Sequence, residues 1–294
     1  MLAIFTAMHP LVDACSAGVL ACGGVTWQRV LVYGVVAFAM QLPLGMFLDA
    51  FPRFVRGGFF LGTILAAASA VAAFAGCSGT LPLVAACSGN ALFHLTAGKT
   101  ILEKRSGASG PIGLFISTGA LGLAAGRLWP ALLPAFASAL VACMVLAAWR
   151  IVWDGAAAQS ANTLVSASAL ACFVFLFALV AWRSWAGLFA AGRTIHSGAA
   201  MLAAATAATL AGKAAGGYIA RFAGLWRTTA ASVAGSAALA FLCPGDCALA
   251  WLALLFTAQL ATGPVLSLMF ANSPNAGGTA FGANCLGLFI GSLP

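Results

Sequence analysis

His9 and Asp13 stand four residues apart in "MHPLVDACS" (8–16), inside an apolar stretch. On a helix that spacing puts both side chains on one face. A carboxylate beside an imidazole holds or releases a proton near neutral pH, which is what proton-coupled transport needs. The plainer reading puts His9 at an interface and pairs Asp13 with an arginine. Pro10, between them, loosens the local helix. His94, in "ALFHLTAGK" (91–99), reads either as a packing residue or as a second imidazole on the same path. Arg183, in "AWRSW" (181–185), is always charged and needs a carboxylate, a carbonyl or an anionic substrate. Asp13 is its natural partner if the first and seventh helices face each other across a cavity. Arg127 and Lys213 either line a path for anions or are structural, and Gln41 and Gln259 are weaker candidates of the same kind. Lys99 is a pathway cation or a side chain snorkelling toward the surface.

The elements that must hold these groups are apolar. Of 294 residues, 63% are hydrophobic and 6% charged, and the mean hydropathy is +1.06. A soluble domain of this length carries far more charge. Apolar runs of about twenty residues recur, broken by short polar or Gly/Pro-rich segments, as in a polytopic α-helical membrane protein. Strict apolar–polar alternation is absent, which argues against a β-barrel. The first twenty residues lack a basic start and carry His9 and Asp13, so no cleavable signal peptide is expected. The net charge of +8 is dispersed and forms no basic face for nucleic acid. Nine Cys lack zinc-site spacing and read as small packing residues. Cys243 and Cys247 flank a "PGD" turn and would pair only if that turn faces an oxidising compartment.

Helices are predicted at about 2–22, 29–50, 58–76, 81–102, 109–129, 131–153, 163–190, 197–220, 226–243, 247–270 and 277–293. The longest polar interval, "DGAAAQSANT" (154–163), divides them. The expected domains are a six-helix bundle over 1–153, a short cytoplasmic linker over 154–162, and a bundle of about five helices over 163–294. With the N-terminus cytoplasmic, the inside connections collect Arg53, Arg56, Lys104, Arg105, Arg150, Arg221 and Arg227, as positive-inside orientation requires. Small residues three or four apart in 110–126 and 277–291 allow close helix packing, and make those helices candidates for moving contacts.

Between the second and third helices, "GMFLDAFPRFVRGG" (45–58) holds Gly45, Asp49, Arg53 and Arg56. A Gly admits a neighbouring helix, the carboxylate accepts from a helix N-terminus, and the Arg residues pair with acids or helix C-termini. The stretch resembles the loop signature of the major facilitator superfamily, where those contacts gate the cytoplasmic side. A weaker copy, "GGYIARFAGLWR" (216–227), carries Gly217, Gly224 and Arg227 but has Ala220 and Arg221 where the family has an acid. The segments 8–16, 91–99 and "GLFISTGALGLAAGRLWP" (113–130) look like the fosmidomycin-resistance branch. Leu95 and Arg127 depart from that branch, each standing where it has a Pro. The resemblance implies two pseudo-repeated helical bundles in the bacterial inner membrane. It also implies twelve helices, so this chain is expected to lack the last, leaving a flank for lipid or a partner chain, or marking a truncated gene.

No G-x-x-x-x-G-K-[ST] occurs, which excludes a primary ATP-driven pump in this chain alone. The expectation is a secondary transporter of a small solute, a drug or metabolite, anionic if the cations line its path. It would work by alternating access as a proton-coupled efflux antiporter, with no cofactor and no metal. The alternative is a non-transporting scaffold of the same fold. An enzyme is disfavoured, because His9-x-x-x-Asp13 is not the His-x4-Asp of acyl transfer and no second cluster accompanies it.

Overall fold

The structure, a computed structural model, describes residues 1–151, 153, 167–194, 198–242, 247–273 and 275–293. Among these, 88% helix and no strand are found. A backbone in lipid has no water to satisfy its N–H and C=O groups, and the helix satisfies them within one segment. Eleven rods follow in chain order. They are α1 (Leu2–Cys22), α2 (Trp27–Ala50), α3 (Phe54–Phe74), α4 (Thr80–Lys104), α5 (Ser109–Leu128), α6 (Pro130–Arg150), α7 (Ala167–Thr194), α8 (Ala199–Ala223), α9 (Leu225–Leu242), α10 (Ala248–Ala271) and α11 (Gly277–Gly291). Seven are long and apolar enough to cross a bilayer on their own: α1, α2, α3, α5, α6, α7 and α10. Among the other four, α4 carries Lys99, Glu103 and Lys104, α8 carries Lys213 and Arg221, and α11 has only 15 residues.

Three rods are interrupted. A π-helical turn at Val35–Ala39 splits α2, Thr118 breaks α5 between Ser117 and Gly119, and α10 breaks between Gln259 and Thr262. Hydroxyls inside the rods bond back to their own helix, as with Ser16 Oγ to Val12 O (2.9 Å), Thr63 Oγ1 to Phe59 O (2.8 Å) and Thr100 Oγ1 to Thr96 O (2.7 Å). Such groups can therefore sit at depth without a partner helix.

The chain packs as two compact units. One comprises Met1–Thr100, Thr118–Ala161 and Asn275–Leu286; the other comprises Ile101–Ser117, Asn162–Pro274 and Gly287–Pro294. In the first, α1 is central and packs on α3, the second half of α5, and α6. Its aromatic core joins Phe5, Phe59, Phe93 and Trp153, with ring centroids 5.1–6.1 Å apart. In the second, α8 packs on the first half of α5 and on α10, and Trp251 and Leu254 of α10 fill the core with Ala186 and Ala190 of α7. The expected linker 154–162 and the Cys243–Cys247 pairing lie outside the described residues.

Glycine is what brings α1 and α5 together. A side chain at Gly122 would overlap Pro10, and one at Gly126 would overlap the Ala14 carbonyl. Gly126→Ala is therefore expected to destabilise the protein by about 1–3 kcal/mol through forced separation of the two helices. Gly57 has nothing within 4 Å of its would-be Cβ and lies in the first turn of α3. Gly57→Ala should be neutral or stabilise by up to about 1 kcal/mol. Thermal unfolding of both variants in one detergent checks the contrast.

Candidate functional site

α1 sets His9, Asp13 and Ser16 along one stripe, and α4 sets Asn90 and His94 one turn apart on the facing stripe. The Asp13 carboxylate meets all of them except Ser16. Oδ2 lies 3.2 Å from His9 Nε2, and Oδ1 lies 3.5 Å from His94 Nε2 and accepts from Asn90 Nδ2 at 2.8 Å. Asn90 Nδ2 also lies 3.4 Å from Ser16 Oγ. The two imidazoles meet edge to face, with centroids 4.3 Å apart. All three ionisable groups are buried, at 3%, 6% and 9% exposure for His9, Asp13 and His94.

One hydrogen bond orients this cluster. His94 Nδ1 lies 2.8 Å from the Asn90 carbonyl oxygen. A carbonyl only accepts, so Nδ1 carries the proton of that bond and Nε2 is the nitrogen turned to Asp13. On the α5 side a side chain at Gly119 would overlap Asp13 Oδ2 and His9 Nε2, so glycine keeps that approach clear. Thr118 Oγ1, at the break in α5, donates to Thr6 O (3.1 Å) and fixes the helix at this level.

A second, part-buried acid is held differently. Asp49, at the end of α2, accepts from Lys99 Nζ (2.7 Å), Gly278 N (2.9 Å), Thr279 N (2.7 Å) and Thr279 Oγ1 (2.7 Å). Gly278 and Thr279 begin α11, so the carboxylate caps that helix and faces its positive end. Gly45, one turn before Asp49, makes the approach feasible, because a side chain there would overlap the Gly278 carbonyl. Arg53 and Arg56 are exposed and lie over the rings of Phe54 and Phe60, at 4.9 and 5.9 Å.

In the second unit Arg183 is buried on α7 and donates through Nη1 to Gln259 Oε1 (3.0 Å) and Thr262 Oγ1 (2.6 Å), at the break in α10. The neighbouring Trp182 donates Nε1–H to Ser236 Oγ (3.1 Å). Asp13 and Arg183, expected to pair, each find these partners within their own unit. Gln41 is buried, donates from Nε2 to Ala37 O (2.5 Å) across the π turn, and has no hydrogen bond at Oε1. Arg127 is exposed at the end of α5, and Lys213 is half-buried on α8. In the weaker signature copy, Gly217 receives a bond from Ser109 Oγ at its carbonyl (2.8 Å), Gly224 ends α8 at φ +91°, and Arg221 and Arg227 are exposed.

No family model and no curated protein matches the sequence. Solved structures do. An E. coli fucose:proton symporter, FucP, aligns over 98% of this chain and 88% of its own, with a TM-score of 0.67 at 12% identity. FucP in an outward conformation, described as a major facilitator superfamily transporter, gives 0.66 at 14% identity with the same coverage. This chain has the major facilitator fold. A bacterial homologue of the iron transporter ferroportin, in an outward-facing state, gives 0.61 at 13% identity over 99% of this chain and 89% of its own.

Within this major facilitator fold the sequence named Asp13, His9 and His94, and the structure brings them into one cluster. It missed Asn90, although its place four residues before His94 in an apolar helix was a visible signal. It named Gly45 and Asp49, and the cation on Asp49 is Lys99. Thr279 and Thr262 carried no signal, being hydroxyls in apolar helices.

The Asp49–Lys99 pair is part-buried, with side chains 12% and 3% exposed. Asp49→Asn is expected to destabilise by about 1.5–3 kcal/mol, because the charge-assisted bonds to Lys99 and to the start of α11 are weakened. Lys99→Met should do less harm, since Asp49 keeps three donors, and the double variant should recover part of the Asp49→Asn loss. A double-mutant cycle of thermal unfolding measures this; simple additivity would show that the pair is uncoupled.

Proposed function

We propose that this protein is a secondary transporter that moves a small solute by alternating access, with protons carried at Asp13. The observation that carries the reading is a buried carboxylate held between two imidazoles, His9 and His94, at mid-length of an apolar helix. A charge at that depth costs roughly 2.5–3.5 kcal/mol on insertion scales, and a group kept there at such cost is a functional candidate by default. The fold supports the class of activity, since the structural neighbours bear the names of a fucose:proton symporter and of a homologue of an iron transporter. Those names differ in cargo, so the cargo is not inherited with the fold.

The resemblance of segments 8–16, 91–99 and 113–130 to the fosmidomycin-resistance branch supports efflux of a drug or metabolite. Arg183, with Gln259 and Thr262, supports an anionic group on that solute. Arg127 and Lys213 remain in the proposed path as weaker contributors. The Asp49 cap on α11 is the proposed cytoplasmic gate, and the distribution of Arg and Lys supports a cytoplasmic N-terminus in a bacterial inner membrane.

Flux into proteoliposomes under an imposed pH gradient tests this, with a panel of metabolites and drugs and with Asp13→Asn beside the wild type. Flux that follows the gradient and loses its coupling in Asp13→Asn is the expected result. A folded wild type that moves nothing under any gradient favours a non-transporting scaffold. Arg183→Gln should raise the half-saturating concentration of an anionic solute about 10-fold or more, the loss of one charge-assisted hydrogen bond, while a neutral solute stays unaffected.

A further inference from the structure

We propose that His9, Asp13 and His94 together form a binding site for a divalent first-row transition-metal ion. Their ligand atoms lie within 4.8 Å of one another, and all three residues are buried. Two imidazole nitrogens and one carboxylate oxygen form a donor set suited to zinc, cobalt, nickel or ferrous iron. Magnesium and calcium prefer oxygen donors throughout.

The support around the donors is the second observation. Metal-binding histidines donate their other ring N–H to a carbonyl or carboxylate, and ligating carboxylates are themselves hydrogen-bonded. Both features are present. His94 Nδ1 is engaged by the Asn90 carbonyl at 2.8 Å, which turns Nε2 inward, and Asn90 Nδ2 donates to Asp13 Oδ1 at 2.8 Å. One residue, Asn90, thus orients a nitrogen ligand through its backbone and an oxygen ligand through its side chain. Asp13 Oδ1 and His94 Nε2 then face each other at 3.5 Å. Gly119 keeps the α5 flank free of a side chain beside His9 Nε2 and Asp13 Oδ2.

Binding does not depend on the transporter reading; that the metal is the cargo does. The sequence has three histidines, so His196→Ala leaves His9 and His94 as the sole imidazoles. Protein with that substitution, purified in detergent without a histidine tag, is loaded with Zn2+ for X-ray absorption and titrated with Co2+. Expected are one ion per chain, two imidazoles in the zinc spectrum, and nitrogen or oxygen neighbours at about 2.0–2.1 Å. Asp13→Asn or His94→Ala should weaken Co2+ binding by about 100-fold or more, and Asn90→Ala by about 10–100-fold. Sulfur neighbours at about 2.3 Å, arising from the cysteines, would overturn the proposal. So would affinities unchanged in variants with wild-type circular dichroism, or no saturable binding. Zn2+ flux in proteoliposomes separates the two ideas. Bound metal without any flux leaves the site standing and removes the transporter. Asp13-dependent flux of an organic solute without metal binding does the reverse.

Discussion

Burial of a carboxylate between apolar helices is the constraint on which the first unit depends. Asp13 is buried and Asp49 part-buried, so each is met largely by donors brought from elsewhere in the chain. Those donors sit on other rods: Asn90, His94 and Lys99 on α4, and Gly278 and Thr279 on α11. Side chains of ordinary size would hold the rods too far apart. Glycine at 45, 119, 122 and 126 removes that spacing at the places where the acids need company. The charge and the small residues are therefore one requirement written twice. The acids cannot be kept at depth without close packing, and the close packing rests on residues that contribute no contact of their own.

The two acids are satisfied in different ways, and the difference separates their roles. Asp49 has four donors, one of them a lysine and two of them backbone N–H groups. Asp13 has one amide donor and two imidazoles, groups that offer either an N–H or a lone pair. In the two readings proposed above, that setting takes a proton or a metal ion, whereas Asp49 fastens one element to another.

Much of this was legible in the sequence because lipid enforces a coarse grammar. The predicted 2–22, 109–129 and 277–293 compare with Leu2–Cys22, Ser109–Leu128 and Gly277–Gly291. Apolar runs must be long, and Gly, Pro and charge gather where they end. The His9–Asp13 pair was legible for the same local reason, since a helix brings residues four apart together. What could not be read was long-range pairing. Lys99 read as a pathway or snorkelling cation from its place near a helix end, and its bond to Asp49 comes from 50 residues away. Arg53 and Arg56, expected to pair with acids or helix C-termini, lie over phenylalanine rings. The expected Asp13–Arg183 pairing rests on the family's placing of the first and seventh helices, and the bonds described for each lie within its own unit.

The cap on α11 also has a bearing on how the chain is made. Asp49 and the Gly278 and Thr279 amides are separated by about 230 residues, which take roughly 10–50 s to synthesise at common elongation rates. Lys99 is translated only 50 residues after Asp49, so a counter-charge is available in the chain long before α11 supplies the remaining donors.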